Sequence, residues 1–264
     1  MIRKFFQSGK LKLSYLDNES NGKPILLCLH GHFACARYYA KLMEELSDDW
    51  HVYSLDQRGH GWSDHAHHEE YDRKNYIEDI SIFIRTVLKN TPVFLLGHSL
   101  GGVNAYQFAA KYNNLVKGIL IEDMGVIVNG DPSEFCKMLP EKCITFSKLQ
   151  AKLSKIGVEE SEMFLESAHE FNDGWGFKFD KKNIPISQKQ LNGEWWESFL
   201  ASTCPAILLH GKNSWVVNQK HIEDMASKRD NTEYTIFKNS GHTVTLDEPG
   251  LFIKTVKNFL EKHG

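Results

Sequence analysis

The chain has 264 residues, a formal net charge of −3 and a charged fraction of 25%. These values are typical of a globular protein with a large buried core, and without a basic surplus nucleic acid is an unfavourable partner. No run approaches the roughly 18 apolar residues that span a bilayer, and the charged N-terminus is unlike a secretory leader. We therefore expect a cytoplasmic protein, monomeric or homodimeric, with no membrane contact.

Strand-length apolar runs alternate with helical patterns along most of the chain. Residues 2–6 and 11–15 predict a hairpin with its turn at 7–10. Further strands are predicted at 24–29, 51–55, 93–96, 116–121, 205–209 and 233–237, and helices at 36–46, 73–88, 100–112, 219–227 and 251–262. Because the inner strands show no polar alternation and helices separate them, we expect an α/β fold with a mostly parallel, eight-stranded sheet flanked by helices.

Residues 126–203 interrupt this alternation. They are rich in lysine, glutamate and large aromatic residues, and they predict mainly helix, for example at 134–139 and 159–170. We expect residues 1–125 and 204–264 to form the core and 126–203 to be a cap inserted between the sixth and seventh strands. Aromatic side chains of the cap and nearby loops are candidates for the substrate pocket. The candidates are Phe33, Trp175, Trp195, Trp196 and Trp215.

A serine stands where the fifth predicted strand gives way to a helix, in the run Gly97-His98-Ser99-Leu100-Gly101. The pattern Gly-x-Ser-x-Gly is short, but a preceding strand and a following helix are what a nucleophile on a sharp turn requires. The glycines relieve crowding at such a turn. The sequence therefore predicts that Ser99 is the nucleophile of a serine hydrolase.

A serine nucleophile needs a base and an oxyanion site. His242 follows the last predicted strand and comes after the serine in chain order, so we predict that it is the base. The backbone N–H of Leu100, at the start of a helix, is one predicted oxyanion donor. The N–H of His32, in the loop after the third strand, is the other, because Gly31 permits a close approach of that loop.

Four motifs, in this order, resemble the α/β-hydrolase superfamily over almost the whole chain. They are His30-Gly31-His32-Phe33, Asp56-Gln57-Arg58-Gly59-His60-Gly61-Trp62-Ser63, Gly97-His98-Ser99-Leu100-Gly101-Gly102 and Gly241-His242. The resemblance implies the α/β-hydrolase fold with its capping insertion and no cofactor. It also implies that the second motif is a structural loop, so that Ser63 and Asp64 have no catalytic role.

The third member of the triad departs from the common pattern of this superfamily. Most members take the acid from the loop after the seventh strand, but residues 210–217 read HGKNSWVV, with Ser214 in the acid's place. Three explanations compete: the triad has lost its acid, a neighbouring residue replaces it, or the acid lies elsewhere in the sheet. A subset of small-capped carboxylesterases resembles this chain in having an acid after strand six and a serine at the usual position. That likeness implies Asp123 as acid and Ser214 as a partner of His242, with Glu122 as the alternative acid.

These residues together predict a carboxylesterase that acts on esters, or thioesters, of small to medium apolar acyl groups. Two other interpretations stay open. The same triad could serve other chemistry, such as carbon–carbon bond hydrolysis or perhydrolysis, or the protein could be a small-molecule receptor with slow turnover. We expect no metal ion, because the cysteines follow no ligand spacing and the histidines at positions 65, 67 and 68 lie in a polar stretch without further ligands.

Overall fold

The computed structural model describes residues 1–158 and 162–264. The strands are β1 (Ile2–Ser8), β2 (Leu11–Asp17), β3 (Ile25–Leu29), β4 (His51–Leu55), β5 (Val93–His98), β6 (Val116–Glu122), β7 (Ile127–Val128), β8 (Ala168–Phe171), β9 (Gly174–Phe177), β10 (Gly193–Glu194), β11 (Ala206–Gly211) and β12 (Thr232–Phe237). The helices are α1 (Ala40–Glu45), α2 (Arg73–Thr86), α3 (Leu100–Lys111), α4 (Ser133–Met138), α5 (Phe146–Lys155), α6 (Glu162–Glu166), α7 (Ile184–Leu191), α8 (Trp196–Ala201), α9 (Gln219–Lys228), α10 (Val244–Asp247) and α11 (Pro249–His263). None of the helices in this part of the chain is long and apolar enough to cross a membrane.

One sheet of eight strands organises the fold, in the order β1-β2-β4-β3-β5-β6-β11-β12. The pairs β1–β2 and β2–β4 are antiparallel, and the other neighbours pair in parallel. The mostly parallel, eight-stranded α/β architecture predicted from the sequence is therefore confirmed, with β11 as the seventh strand of this sheet. Since parallel strands end at one edge, the loops after β3, β5, β6, β11 and β12 meet there.

The inner strands are apolar throughout because helices cover both faces of the sheet. Leu27 and Leu95 pack into the cluster that contains residues of α2, α3 and α9, whereas Leu26 and Leu96 face α1 and α11. All four side chains are fully buried. Burying a leucine contributes about 2 kcal/mol, so a continuous apolar run is stable only where both faces are covered.

Residues 126–203, here called the insertion, lie between β6 and β11 and include α4–α8 and β7–β10 in their described part. The predicted helix at 134–139 corresponds to α4. The predicted helix at 159–170 is wrong at its end, because residues 168–171 form β8, which pairs antiparallel with β9. The tight turn between them ends at Gly174, whose φ of 121° no helix accommodates. Residues 159–161 lie outside the described residues.

The insertion has a small apolar cluster of its own, formed by Cys136, Leu139, Leu153, Phe164, Phe179 and Ile184. Phe33, from the loop after β3, packs into this cluster. Its ring centroid lies 5.6 Å from that of Phe164 and 5.4 Å from that of Phe179. This contact fixes the insertion to the loop that carries the predicted oxyanion donor.

Candidate active site

Ser99 lies on a sharp turn between β5 and α3. Its φ of 52° and ψ of −115° are unfavourable for any residue except glycine. Close packing imposes this conformation, because a Cβ on Gly97 would overlap the Gly101 carbonyl and a Cβ on Gly101 would overlap the Leu29 carbonyl. The turn is also tied to β6, since the Ser99 N–H donates to the backbone carbonyl of Glu122 at 3.1 Å. The serine is thus held at the carboxyl edge of the sheet.

The carboxylate of Asp123 is the centre of a hydrogen-bond network at the same edge. His242 Nδ1 donates to Asp123 Oδ2 at 2.7 Å, and Ser214 Oγ donates to the same oxygen at 2.5 Å. His210 Nδ1 donates to Oδ1 at 2.8 Å, and the Gly211 N–H donates to it at 3.1 Å. Because a carboxylate only accepts hydrogen bonds, Nδ1 of His242 carries a proton and Nε2 is left as a proton acceptor.

Backbone geometry turns Asp123 towards His242. Asp123 follows the end of β6 with a φ of 45°, in the left-handed region, and is fully buried. Burial raises the pKa of this carboxyl, but the hydrogen bonds from His210 and His242 outweigh burial and hold the pKa below its ordinary value. Asp123 is therefore ionised at neutral pH and can stabilise a positive charge on His242.

Ser214 contacts Asp123 rather than His242. The resemblance implied that it would touch His242, but its hydroxyl donates to Asp123 Oδ2 and accepts a hydrogen bond from the Val216 N–H at 3.1 Å. The serine that stands at the usual acid position thus helps to hold the Asp123 carboxylate in place.

Glu122, the alternative acid, has different partners. Its carboxyl accepts hydrogen bonds from the hydroxyls of Tyr38 and Tyr39, each at 3.0 Å, and from the Thr245 N–H at 2.8 Å. Burial raises its pKa to about 8. Since Thr245 lies in α10, three residues after His242, Glu122 anchors the segment that carries the histidine.

The loop after β3 passes directly over the serine. A Cβ on Gly31 would lie 2.6 Å from His98 Nδ1 and 3.0 Å from Ser99 Cβ, so only glycine permits this approach. The N–H of the next residue, His32, donates no hydrogen bond within the described residues. Leu100 is the first residue of α3, where an N–H has no partner in the helix. Two unpaired N–H groups beside a serine match the requirement for an oxyanion site.

The loop after β4 supports the loop after β3. The Gln57 N–H donates to His30 Nε2 at 3.1 Å, and His30 Nδ1 donates to the Gly31 carbonyl at 2.7 Å. His30 is therefore a buried, fully hydrogen-bonded histidine. Asp56, in the same loop, accepts the Ala36 N–H at 2.6 Å. These contacts agree with the structural role that the resemblance implies for residues 56–63.

Two of the five predicted pocket aromatics lie beside these groups. Trp215 is 84% exposed, and its ring centroid is 5.6 Å from that of His242. The ring centroid of Phe33 is 6.4 Å from that of His32. A surface cavity of about 350 Å³ lies next to Ser214 and is lined in part by Trp215. Trp215 therefore offers an exposed aromatic face next to the predicted base.

The other three predicted pocket aromatics make contacts elsewhere. Trp175 packs on Phe146 within the insertion, and Trp195 donates its indole N–H to a backbone carbonyl of α7. Trp196 packs against His221 of α9. The aromatic composition of the insertion made these residues candidates for the pocket. Their rings instead pack within the insertion or against the core.

Two histidines of the site were given no role by the sequence. His210 donates to Asp123, and His98 donates through Nε2 to the His242 carbonyl at 2.9 Å. The rings of His98 and His242 lie 4.5 Å apart, and burial lowers the pKa of His98 well below its ordinary value, so it remains neutral. The available signal was position, because His98 directly precedes Ser99 at the end of β5 and His210 lies near the end of β11.

Among the described residues, the side chains suited to a metal are His67, His68 and Glu69, with donor atoms within 4.8 Å of one another. All three are exposed. The cysteines, by contrast, are buried and unpaired.

Comparisons with known proteins agree with this fold. Residues 24–135 match the family model described as alpha/beta hydrolase fold. A 2-(acetamidomethylene)succinate hydrolase of Mesorhizobium japonicum is 24% identical over 96% of this chain and 93% of its own length. A crystal structure of E-2-(acetamidomethylene)succinate hydrolase, 22% identical, superposes with a TM-score of 0.84 over 98% of this chain and 99% of that one. An esterase from a marine microorganism, also 22% identical, has a TM-score of 0.79 over 94% and 98% of the two chains.

The family match covers the strand–turn–helix around Ser99, and the structural similarity extends over nearly the whole chain, including the edge where the loops converge. The chain therefore has the α/β-hydrolase fold.

Proposed function

We propose that this protein is a serine hydrolase that cleaves carboxylic esters, with thioesters as a related class, through an acyl-enzyme on Ser99. The observation that carries the proposal is the buried Asp123 carboxylate, which accepts a hydrogen bond from His242 Nδ1 at 2.7 Å beside the strained serine turn. That arrangement leaves His242 Nε2 free to take a proton, which a serine nucleophile requires.

The first half of the reaction forms the acyl-enzyme. Ser99 Oγ attacks the ester carbonyl carbon while its proton passes to His242 Nε2, and Asp123 stabilises the resulting imidazolium. The N–H groups of His32 and Leu100 donate to the oxyanion. When the tetrahedral intermediate collapses, the carbon–oxygen bond breaks and the alcohol leaves with the proton from His242.

The second half releases the acid. Water attacks the acyl carbon, His242 accepts a proton from that water, and the bond to Ser99 Oγ breaks as the serine regains its proton. Because His242 protonates the leaving alcohol, we place that group on the exposed face of Trp215, 5.6 Å from the histidine ring. The similarity to the marine esterase supports ester cleavage, whereas the similarity to 2-(acetamidomethylene)succinate hydrolase makes the type of bond cleaved the first question for experiment.

Steady-state hydrolysis of a panel of p-nitrophenyl and alkyl esters tests this proposal. The expected result is multiple turnover by the wild type and loss of at least about 10⁴-fold in kcat for Ser99→Ala. Ser227→Ala is the matched control, because Ser227 is an exposed serine of α9, and it should retain wild-type rates. Equal rates in the wild type and Ser99→Ala across the panel would refute the proposal, and a single slow turnover would favour a receptor.

A further inference from the structure

Arg73 is a partly buried cation whose partners are amide oxygens. Its Nε donates to Gln107 Oε1 at 3.0 Å, and its Nη2 donates to Asn104 Oδ1. Its Nη1 is buried and has no partner among the described residues. Among the described residues, Asp72 is the carboxylate whose charge acts on Arg73. The Asp72 side chain already accepts a hydrogen bond from the Asn75 N–H and so caps the start of α2. Buried charges in proteins are normally paired, so this guanidinium lacks a matching anion.

A continuous chain of contacts joins Arg73 to the predicted oxyanion site. The guanidinium lies 5.5 Å from the centroid of the Tyr76 ring. The Tyr76 hydroxyl is 2.9 Å from Ser187 Oγ, which is 2.9 Å from His32 Nε2. Burial, and then the charge of Arg73, lower the pKa of His32 to about 3, so His32 adds no positive charge. Since Ser187 belongs to α7, this series of contacts passes from the core to the insertion and back to the loop that carries His32.

A second unpaired donor lies within the field of this cation. Tyr106 is fully buried, and its hydroxyl has no partner among the described residues. The positive charge of Arg73 acts on this hydroxyl. Tyr106, Asn104 and Gln107 all belong to α3, the helix that begins directly after Ser99. A guanidinium N–H and a hydroxyl that are buried without protein partners among the described residues are well suited to bind a carboxylate.

We propose that Arg73 and Tyr106 bind a carboxylate at the far end of the substrate's acyl group, so that the substrates are half-esters of dicarboxylic acids. This inference rests on the proposed ester hydrolysis. It refines the apolar acyl group expected from the sequence, because a short methylene chain would separate the reactive carbonyl from the carboxylate.

The position of His242 assigns the carboxylate to the acyl group. The leaving oxygen must lie within reach of His242, whose ring contacts Asp123, His98 and Trp215. The contacts of Arg73 lead instead to the oxyanion loop. A charge held by Arg73 is therefore on the part of the substrate that stays bound to the serine after the alcohol leaves.

Paired substrates test the inference. Monomethyl esters of succinate, glutarate and adipate are compared with methyl esters of equal length in which a methyl ketone replaces the carboxylate. We expect the carboxylate to raise kcat/KM by about 10- to 100-fold for at least one length. Arg73→Gln should lower the ratio of the two kcat/KM values to about one, whereas Arg73→Lys should retain part of the preference. Tyr106→Phe should reduce the ratio. The exposed Arg85→Gln, on the same helix, should leave the ratio unchanged.

A binding measurement separates this inference from the proposed function. Calorimetric titration of Ser99→Ala with each monomethyl ester should show an affinity that falls about 10- to 100-fold when Arg73→Gln is added. If neutral esters are hydrolysed and the half-esters have no Arg73-dependent advantage in rate or affinity, the inference is overturned while the proposed function stands. If half-esters bind through Arg73 but are not cleaved, the carboxylate site stands and the proposed function fails. A preference only for esters of 4-hydroxybenzoate, with the carboxylate on the leaving group, would overturn the acyl assignment.

Discussion

Replacement of Asp123 by asparagine is the substitution that tests the proposed acid. Each carboxylate oxygen accepts two hydrogen bonds, one pair from His242 and Ser214 and the other from His210 and Gly211. An asparagine NH₂ group cannot accept, so in either orientation two donors lose their acceptor. A buried donor left unpaired costs about 1–3 kcal/mol, so we expect roughly 2–6 kcal/mol of lost stability.

The catalytic effect of Asp123→Asn follows from the tautomer of His242. If the NH₂ group faces the ring, Nδ1 must accept and the proton moves to Nε2, where it blocks proton transfer from Ser99. Wrong-tautomer variants of such triads lose about 10⁴-fold in kcat, which corresponds to about 5.5 kcal/mol. If the carbonyl faces the ring, the negative charge that stabilises the imidazolium is still lost.

The assay is kcat for the best ester of the panel, with circular dichroism and a thermal melt to confirm folding. Ser214→Ala is the matched comparison, because it removes the hydrogen bonds of the hydroxyl, to Asp123 and from the Val216 N–H, and leaves the His242 contact, for an expected loss of about 10-fold or less. Retention of more than a tenth of wild-type kcat by folded Asp123→Asn would refute the reasoning. Abolished activity in Ser214→Ala alone would also refute it.

Two further substitutions test the framework of the site. Gly101→Ala should lower kcat by at least about 100-fold and destabilise the fold by about 1–3 kcal/mol, since its Cβ would overlap the Leu29 carbonyl; wild-type melting and activity would contradict the close packing. Glu122→Gln tests the raised pKa of Glu122. A carboxyl whose pKa is about 4.5 in the unfolded chain and about 8 in the folded protein lowers the free energy of unfolding as the pH rises between these values. The free energy of unfolding is measured in urea at pH 5 and pH 8.5. Relative to the wild type, the variant should be more stable by up to a few kcal/mol at pH 8.5 than at pH 5. The same difference in stability at both pH values would contradict the raised pKa.

Much of the fold could be predicted because its inner strands carry their signal locally. Leu26 and Leu27 belong to an apolar run that is stable only when both faces are buried, whichever strands lie beside it. The serine turn has part of this local character, since Gly97 is needed by the turn itself, whereas Gly101 is needed because the end of β3 packs against it. The β8–β9 hairpin gave no comparable signal, because its residues alternate only weakly between buried and exposed positions.

The preference for Asp123 over Glu122 came from the resemblance and not from the pattern of residues alone. The choice depends on where β6 ends, because Glu122 remains in the strand and reaches Tyr38 and Tyr39, whereas Asp123 turns out of the strand. The cluster around Arg73 was also beyond sequence reasoning. Its members come from α2, α3 and α7, and only packing brings them together.

The most direct test of the central claim is mass spectrometry of the protein after treatment with a fluorophosphonate, which reacts covalently with activated serines. The account predicts one adduct, on the peptide that contains Ser99, with labelling and ester hydrolysis lost in parallel and both strongly reduced in His242→Ala. An active preparation that forms no adduct, or one whose adduct lies on another serine, would contradict the account.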